Sequence, residues 1–514
     1  LCVAVTTAKH AGKGRSSLIF KATSLLTYYP TYSISFSTLL ANTALPPIVL
    51  ETPADVLALK LSAICGPDFV FVDADNLQAY GHDETEDLVF LPQVVVKPAS
   101  AQEISQILIL ANELLVPVTA RGAGTGLSGS ALPVRGGILL STERLNKILV
   151  IDANNHQATV EPGVVVEVFQ NAVATQGLFY PVDPASKGSC TMGGNIAQSS
   201  GGPRAVKYGT TRDNILNLEV VLPTGQIIWT GANVLKYSTG YNLTHLMIGS
   251  EGTLGIVTKV VTKLRPHPTQ SLVMLVPFEQ AEQACDAVSK IFMAGLTPSC
   301  LEFMERDAID WAIDYIGSGM VVPANIQAHL LIELDGNDLE RLHQEAEQLF
   351  NVLEAQGYAT GEVLLGQSAQ QKEELWMLRR KAPYAVRHNS VYKEEDTVVP
   401  RAHLPQLLRG VKEIGTKYGF KSVCYGHAGD GNLHVNIIKD GLSDEVWHNT
   451  LPLAIREVFE LVVRLGGTIS GEHGIGYVQK PYLRIALSEV QIELMRGIKR
   501  VFDPNGILNP DKIF

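Results

Sequence analysis

The chain has 514 residues, 46% hydrophobic and 18% charged, enough to bury a large core in two or three domains. Its formal net charge of -11, from 41 basic and 52 acidic side chains without a long basic run, gives no electrostatic reason to expect a nucleic acid partner. Its 6 cysteines lack CxxC spacing, which favours free thiols in a reducing compartment over a disulfide framework.

Residues 1–50 contain no Asp or Glu, carry Lys9, Lys13, Arg15 and Lys21, and are rich in Ser and Thr. That composition suits an organellar transit segment, hence a mitochondrial protein. It equally suits a non-native leader on a cytoplasmic protein that can sit peripherally on an inner membrane. No apolar run reaches the ~18 residues of a membrane span, so no transmembrane segment is expected.

A first block, residues 51–268, opens with an amphipathic helical pattern over 51–80 and acidic loop residues at 83–87. The apolar run Val94-Val95-Val96 follows, then a helix over 101–115, a strand over 116–120 and a glycine loop. A second βα-rich part runs from Ile151 to Leu264, and Pro266 and Pro268 mark a boundary. The second block, 269–470, mixes strands at 273–276 and 329–334 with a long helix at 339–356, the mark of an α+β domain. The charge-rich stretch 379–400 reads as a connection. A helix at 452–465 and the segment 471–514 complete the chain.

The loop Gly124-Thr125-Gly126-Leu127-Ser128-Gly129 satisfies GxGxxG after a strand. A Rossmann site needs a helix opening at that loop, and Pro133 with Gly136-Gly137 stops one within a turn or two. Backbone N–H groups of such a loop still form an anion nest without a helix. A second glycine-rich run, Pro184 to Asn195 followed by Gly201-Gly202, makes a large flat cofactor the economical explanation, because glycine is entropically costly unless backbone must approach something closely.

The most distinctive chemistry lies further on, in Gly426-His427-Ala428-Gly429-Asp430-Gly431-Asn432-Leu433-His434-Val435-Asn436 and Gly471-Glu472-His473-Gly474. Apolar residues flank the Gly-Asp-Gly-Asn turn, so His427 and His434 fall on facing arms of a hairpin. Alternation puts Asn436 on the His434 face, and the glycines around Glu472 let it come close. Two His and one carboxylate with open positions suit a catalytic metal site, with His473 beside it as a base. Zinc is the first expectation, and manganese or iron fits the same ligands.

Together with Arg121 to Gly129, the Pro184 to Asn195 run and Gly249-Ser250-Glu251-Gly252-Thr253-Leu254-Gly255, these motifs resemble the FAD-dependent 2-hydroxy acid dehydrogenases. That group comprises D-lactate dehydrogenase, the glycolate oxidase catalytic subunit and D-2-hydroxyglutarate dehydrogenase, with the vanillyl-alcohol oxidase fold. The match spans residues 51–514. It implies an α+β protein with a two-part FAD-binding domain, an α+β cap domain carrying the metal hairpin, and a C-terminal segment, 471–514, returning to the flavin.

The resemblance assigns FAD contacts to Arg121, Gly122, Ala123, Gly124, Thr125, Gly126, Ser128 and Gly129. It adds Pro184, Ala185, Gly188, Ser189, Thr191, Gly193, Gly194, Asn195 and Gly202, then Glu251, Gly255, Ile256, Val257 and Asn509. The first loop holds neither His nor Cys, so non-covalent FAD is expected, with Cys190 the residue to watch. The metal ligands fall on His427, His434 and Glu472, the base on His473 with Asn436 beside it, and a carboxylate-binding arginine on Arg379. A lysine of the hydroxyglutarate subgroup aligns with Lys393, whereas that subgroup's threonine is Pro383 here. D-Lactate or glycolate is therefore expected ahead of D-2-hydroxyglutarate, with oxidation to the 2-keto acid and hydride transfer to flavin N5. Electrons would pass to a quinone, a cytochrome or an electron-transfer flavoprotein, and a homodimer is compatible. A non-redox transferase on the same fold and a non-catalytic FAD-binding subunit are the rival readings.

Overall fold

The computed structural model describes residues 52–358 and 361–514, so both readings of the leader lie outside the described residues. The pattern over 51–80 is two helices, Ala54–Cys65 and Ala74–Tyr80, because Gly66 takes a positive φ of 87° and Pro67 restarts the chain. The strands β1 (Val70–Phe71), β2 (Val94–Val96), β3 (Val118–Arg121) and β4 (Ile138–Ser141) form one sheet in the order β1-β2-β4-β3. The pairs β2–β4 and β3–β4 are parallel. The helix Ala101–Leu114, N-capped by the Ser100 hydroxyl, lays Ile104, Ile107 and Leu108 on Val94, Val96 and Leu140. No helix opens at the glycine loop, in keeping with the stop signals at Pro133 and Gly136-Gly137.

The next strands are β5 (Ile148–Asp152), β6 (Gln157–Val160), β7 (Leu178–Phe179), β8 (Ile215–Val221), β9 (Ile227–Trp229) and β10 (Ile256–Lys263). Five of them make an antiparallel sheet ordered β5-β6-β10-β8-β9, while β7 pairs with β11 (Arg265–Pro266). This corrects the βα-rich reading. The intervening helices, such as Val166–Ala174, are short and pack beside an antiparallel sheet.

The third sheet comprises β12 (Gln270–Phe278), β13 (Cys300–Glu305), β14 (Ala328–Gly336), β15 (Leu364–Gly366), β16 (Tyr392–Val398), β17 (Lys421–Gly426) and β18 (Asn432–Ile438). Its order is β15-β12-β14-β13-β17-β18-β16, with every neighbouring pair antiparallel. Helices Ala281–Met293, Leu339–Ala355, Leu404–Tyr418 and Leu451–Arg464 bury one face. Helices Arg306–Ile316 and Ala369–Asn389 bury the other. The stretch 379–400 is thus no connection: helix continues through Pro383 to Asn389, and β16 follows almost at once. Its charges misled because several are buried and paired inside the sheet rather than solvated.

Two features join the halves. Arg204 sits between Asp183 (3.3 Å) of the first half and Glu333 (3.1 Å) and Asp335 (3.5 Å) of β14, and Lys207 reaches Asp335 at 2.6 Å. The last residues return to the edge of β3, where Val118 N donates to Ile507 O and Asn509 N donates to Val118 O.

Candidate active site

The turn between β17 and β18 brings the two histidines together. Tyr425 is the registered partner of His434, and His427 follows in the loop with its ring 5.4 Å from that of His434. Gly431 makes the turn possible, with φ at 80° and a Cβ position filled by Val399 O. His427 Nε2 lies 3.2 Å, and His434 Nε2 3.6 Å, from the same Glu472 Oε1. The potential ligand atoms of His427, His434 and Glu472 all fall within 4.8 Å of one another.

Each imidazole is backed by an acid on its other nitrogen, a fully buried one for His427 and a partly buried one for His434. His427 Nδ1 is 2.8 Å from Glu302 Oε2, and His434 Nδ1 is 3.0 Å from Glu394 Oε1. This is the arrangement by which metal-binding histidines fix ring orientation and keep Nε2 free for an ion. Burial opposes ionisation of Glu472, yet His427, His434 and His473 hold its carboxyl down to about 2. Burial likewise opposes the charged form of His427, and Glu302 and Glu472 outweigh it, raising its pKa well above the usual value. Carboxylates crowded around imidazoles, with donors converging on one point, fit a dication.

The segment that carries Glu472 and His473 is pinned by Asp396 of β16. One carboxylate oxygen, Oδ2, accepts from Ser470 Oγ at 2.9 Å and from the N–H groups of Gly471, Glu472 and His473, each at 2.8 Å. Asp396 Oδ1 accepts from Asn432 Nδ2 at 2.8 Å. The His473 ring stacks on His434 at 5.3 Å, and its carbonyl accepts from Ser128 Oγ at 2.9 Å. Burial opposes charge on His473, while Asp396, Glu394 and Glu472 raise its pKa.

Glu394, Glu472 and His473 form one end of a cavity of about 440 Å³. The rest of its wall includes Arg121 to Leu127, Pro184 to Ser186, Ser189, Thr191, Gly193 to Asn195, Glu251 and Gly255 to Val257. Among the described residues, the N–H groups of Gly122 to Leu127 have no protein acceptor. On the same wall Thr191 Oγ1 and Asn195 Nδ2 are buried without partners. Backbone donors and orphaned polar atoms around a long cleft fit a flavin dinucleotide.

Several expected residues lie elsewhere. Ser128, Gly129, Gly188, Gly202 and Asn509 are off the cavity wall: Ser128 holds His473, and Asn509 Nδ2 donates to Ser130 O and Glu251 O behind the loop. Asn436 shares the His434 face, but its amide turns to Val423 O and it does not reach the cavity. Lys393 points to the opposite face of β16, its Nζ 5.2 Å from the Trp447 ring, so strand alternation takes it away from the site. Arg379 is buried behind the histidines, its Nε 2.8 Å from Glu302 Oε2 and its guanidinium over the Tyr425 ring. Its Nη atoms have no hydrogen-bond partner among the described residues. Cys190 is buried, which pushes its thiol up to about 11.

Sequence reasoning missed Glu302, Glu394, Asp396 and the role of Glu251, whose carboxylate accepts from Ile475 N and Gly476 N at 2.8 Å each. The alternation of Tyr392, Glu394 and Asp396 was the available signal for two of these. Glu302 stands in an apolar strand with nothing in its spacing to single it out.

The chain matches the FAD binding domain family over residues 92–231 and the family described as FAD linked oxidases, C-terminal domain, over 267–513. It belongs to the FAD-linked oxidase family and is an FAD-linked oxidoreductase. It is 39% identical to the glycolate oxidase subunit GlcD of Bacillus subtilis (strain 168), covering 88% of this chain and 96% of that protein. To a D-lactate dehydrogenase of Anaerostipes hadrus it is also 39% identical, covering 87% and 95%. The structure of p-cresol methylhydroxylase superposes with a TM-score of 0.75 at 19% identity, covering 91% of this chain and 98% of that one, which establishes the vanillyl-alcohol oxidase type of fold. Five described cysteines, Cys65, Cys190, Cys285, Cys300 and Cys424, are unpaired, and no helix among the described residues is long and apolar enough to cross a membrane.

Proposed function

We propose that this chain oxidises a D-2-hydroxy acid to the 2-oxo acid with non-covalently bound FAD and a divalent cation. The observation that carries this is that Glu472 and His473 line the same cavity as the glycine loop. FAD there would supply the hydride acceptor. His427, His434 and Glu472 would hold the cation, which would supply Lewis acidity toward the substrate hydroxyl. His473 takes the hydroxyl proton, its ring fixed by His434 and its backbone by Asp396 and Ser128. Arg379, expected to bind the substrate carboxylate, lies off the cavity wall and instead backs Glu302, the acid behind His427. Glu302 and Glu394 hold the imidazoles in register. The names of the two relatives place glycolate and D-lactate in the substrate class to be tried first.

Stopped-flow mixing of the yellow protein with a panel of D-2-hydroxy acids tests this. Loss of oxidised flavin absorbance is expected within the dead time to seconds, and no bleaching by any member of the panel would sink the proposal. The same experiment separates the rivals, because neither a transferase nor a non-catalytic subunit bleaches.

A further inference from the structure

The register of β16 decides which side chains a substrate meets. Tyr392 and Glu394 face the cavity, and Lys393 and Glu395 face away, Glu395 accepting from Gln479 Nε2 at 2.9 Å. The position beside His434 and His473 is thus an acid, with Glu394 Oε1 3.0 Å from His434 Nδ1 and 4.0 Å from His473 Nε2.

Two guanidinium groups and no lysine stand on the described cavity wall, and both guanidinium groups are engaged. Arg121 donates to His82 O at 2.7 Å and packs over the Tyr80 ring. Arg387, at the mouth, is paired with Glu84 at 2.8 Å. The same wall also carries Leu127, Pro383, Tyr384 and Tyr392. A substrate arm entering here finds apolar and aromatic carbon, no unpaired positive charge, and the Glu394 carboxylate beside the base.

From this we infer that the site selects monocarboxylic 2-hydroxy acids with an apolar side arm, and that Glu394 is the specificity-determining residue that rejects a second carboxylate. The inference rests on the proposed 2-hydroxy acid oxidation. A second carboxylate would sit near a like charge in a partly desolvated cleft without a compensating cation, which disfavours it strongly. An apolar arm gains about fourfold per buried methylene.

The test is stopped-flow flavin reduction of the holoprotein with glycolate, D-lactate, D-2-hydroxybutyrate, D-malate and D-2-hydroxyglutarate. Second-order rate constants for D-2-hydroxybutyrate should exceed those for the two dicarboxylates at least tenfold, and those for glycolate severalfold. In Glu394→Gln and Glu394→Lys the dicarboxylate-to-monocarboxylate ratio should rise at least fivefold, whatever happens to absolute rates. Independently of turnover, 2-oxobutyrate should raise the melting temperature of wild-type holoprotein at concentrations where 2-oxoglutarate does not, a reading that stands if the variants fail to fold.

Equal use of D-2-hydroxyglutarate by the wild type, a ratio unmoved in Glu394→Gln, or equal stabilisation by the two oxo acids overturns the inference while leaving the oxidase reading intact. Loss of dicarboxylate turnover in Arg387→Met, from a wild type that had it, also overturns it by making Arg387 the receptor. No bleaching by any acid overturns both.

Discussion

Asp396→Asn probes how His473, the proposed base, is held. In the wild type one oxygen accepts four hydrogen bonds from the segment bearing Glu472 and His473. Bonds to a charged acceptor contribute about 1.5–3 kcal/mol each, against about 0.5–1.5 for neutral ones. Neutralising the acceptor therefore costs about 1 kcal/mol per bond, and about 4 kcal/mol for the set if none rearranges. The new amide also places a donor opposite Asn432 Nδ2 unless it turns its oxygen away from the backbone. Because the carboxamide preserves shape, the protein should stay yellow, while the His473 ring loses its fixed position. A displacement of about 1 Å at such a group costs about 100-fold in rate. Stopped-flow flavin reduction with D-lactate should fall by that order, and metal content measured by elemental analysis should fall with it through Glu472. Reduction within threefold of wild type at full metal content would refute the reasoning, since the four bonds would then not be what positions the base.

His473→Asn should leave FAD bound and abolish flavin reduction; unchanged bleaching by D-lactate would remove it as the base. Dialysis against a chelator should suppress turnover without releasing FAD, and zinc or manganese should restore it, whereas full activity of metal-free protein would exclude the cation. Asp335→Ala strips Lys207 and Tyr208 and leaves Arg204 with fewer acids in a buried junction, so thermal unfolding should show a loss of about 3–5 kcal/mol. Burial raises the Glu251 carboxyl to about 7, against the opposing N–H groups of Ile475 and Gly476 and Lys512. Since the folded value lies above the ordinary 4.5 of a glutamate, its contribution to stability is present below about pH 4.5 and lost as pH rises through about 7. The melting temperature of Glu251→Gln holoprotein should decline less than that of wild type across this window, and parallel curves would contradict it.

The sequence disclosed the cluster of His427, His434 and Glu472 because each sits near glycines, and such turns leave a local imprint. It also disclosed single strands with plain apolar runs, such as Val94–Val96 and 329–334, but not the antiparallel pairing of β5 to β10 or the strand β16. It hid the acids behind the triad for a different reason. Glu302 and Asp396 act across β13, β16 and β18, and pairing between distant strands has no signature in local spacing. Lys393 and Glu394 show the same limit at single-residue scale: motif matching favoured the lysine, and a period-two register gave the cavity to its neighbour.

The closing residues lie against β3, next to the loop that begins at Gly122, and Asn509 braces Ser130 and Glu251 there. The bridge occupies part of the outer edge of β3, a row of backbone donors and acceptors that would otherwise offer a template for pairing with another molecule.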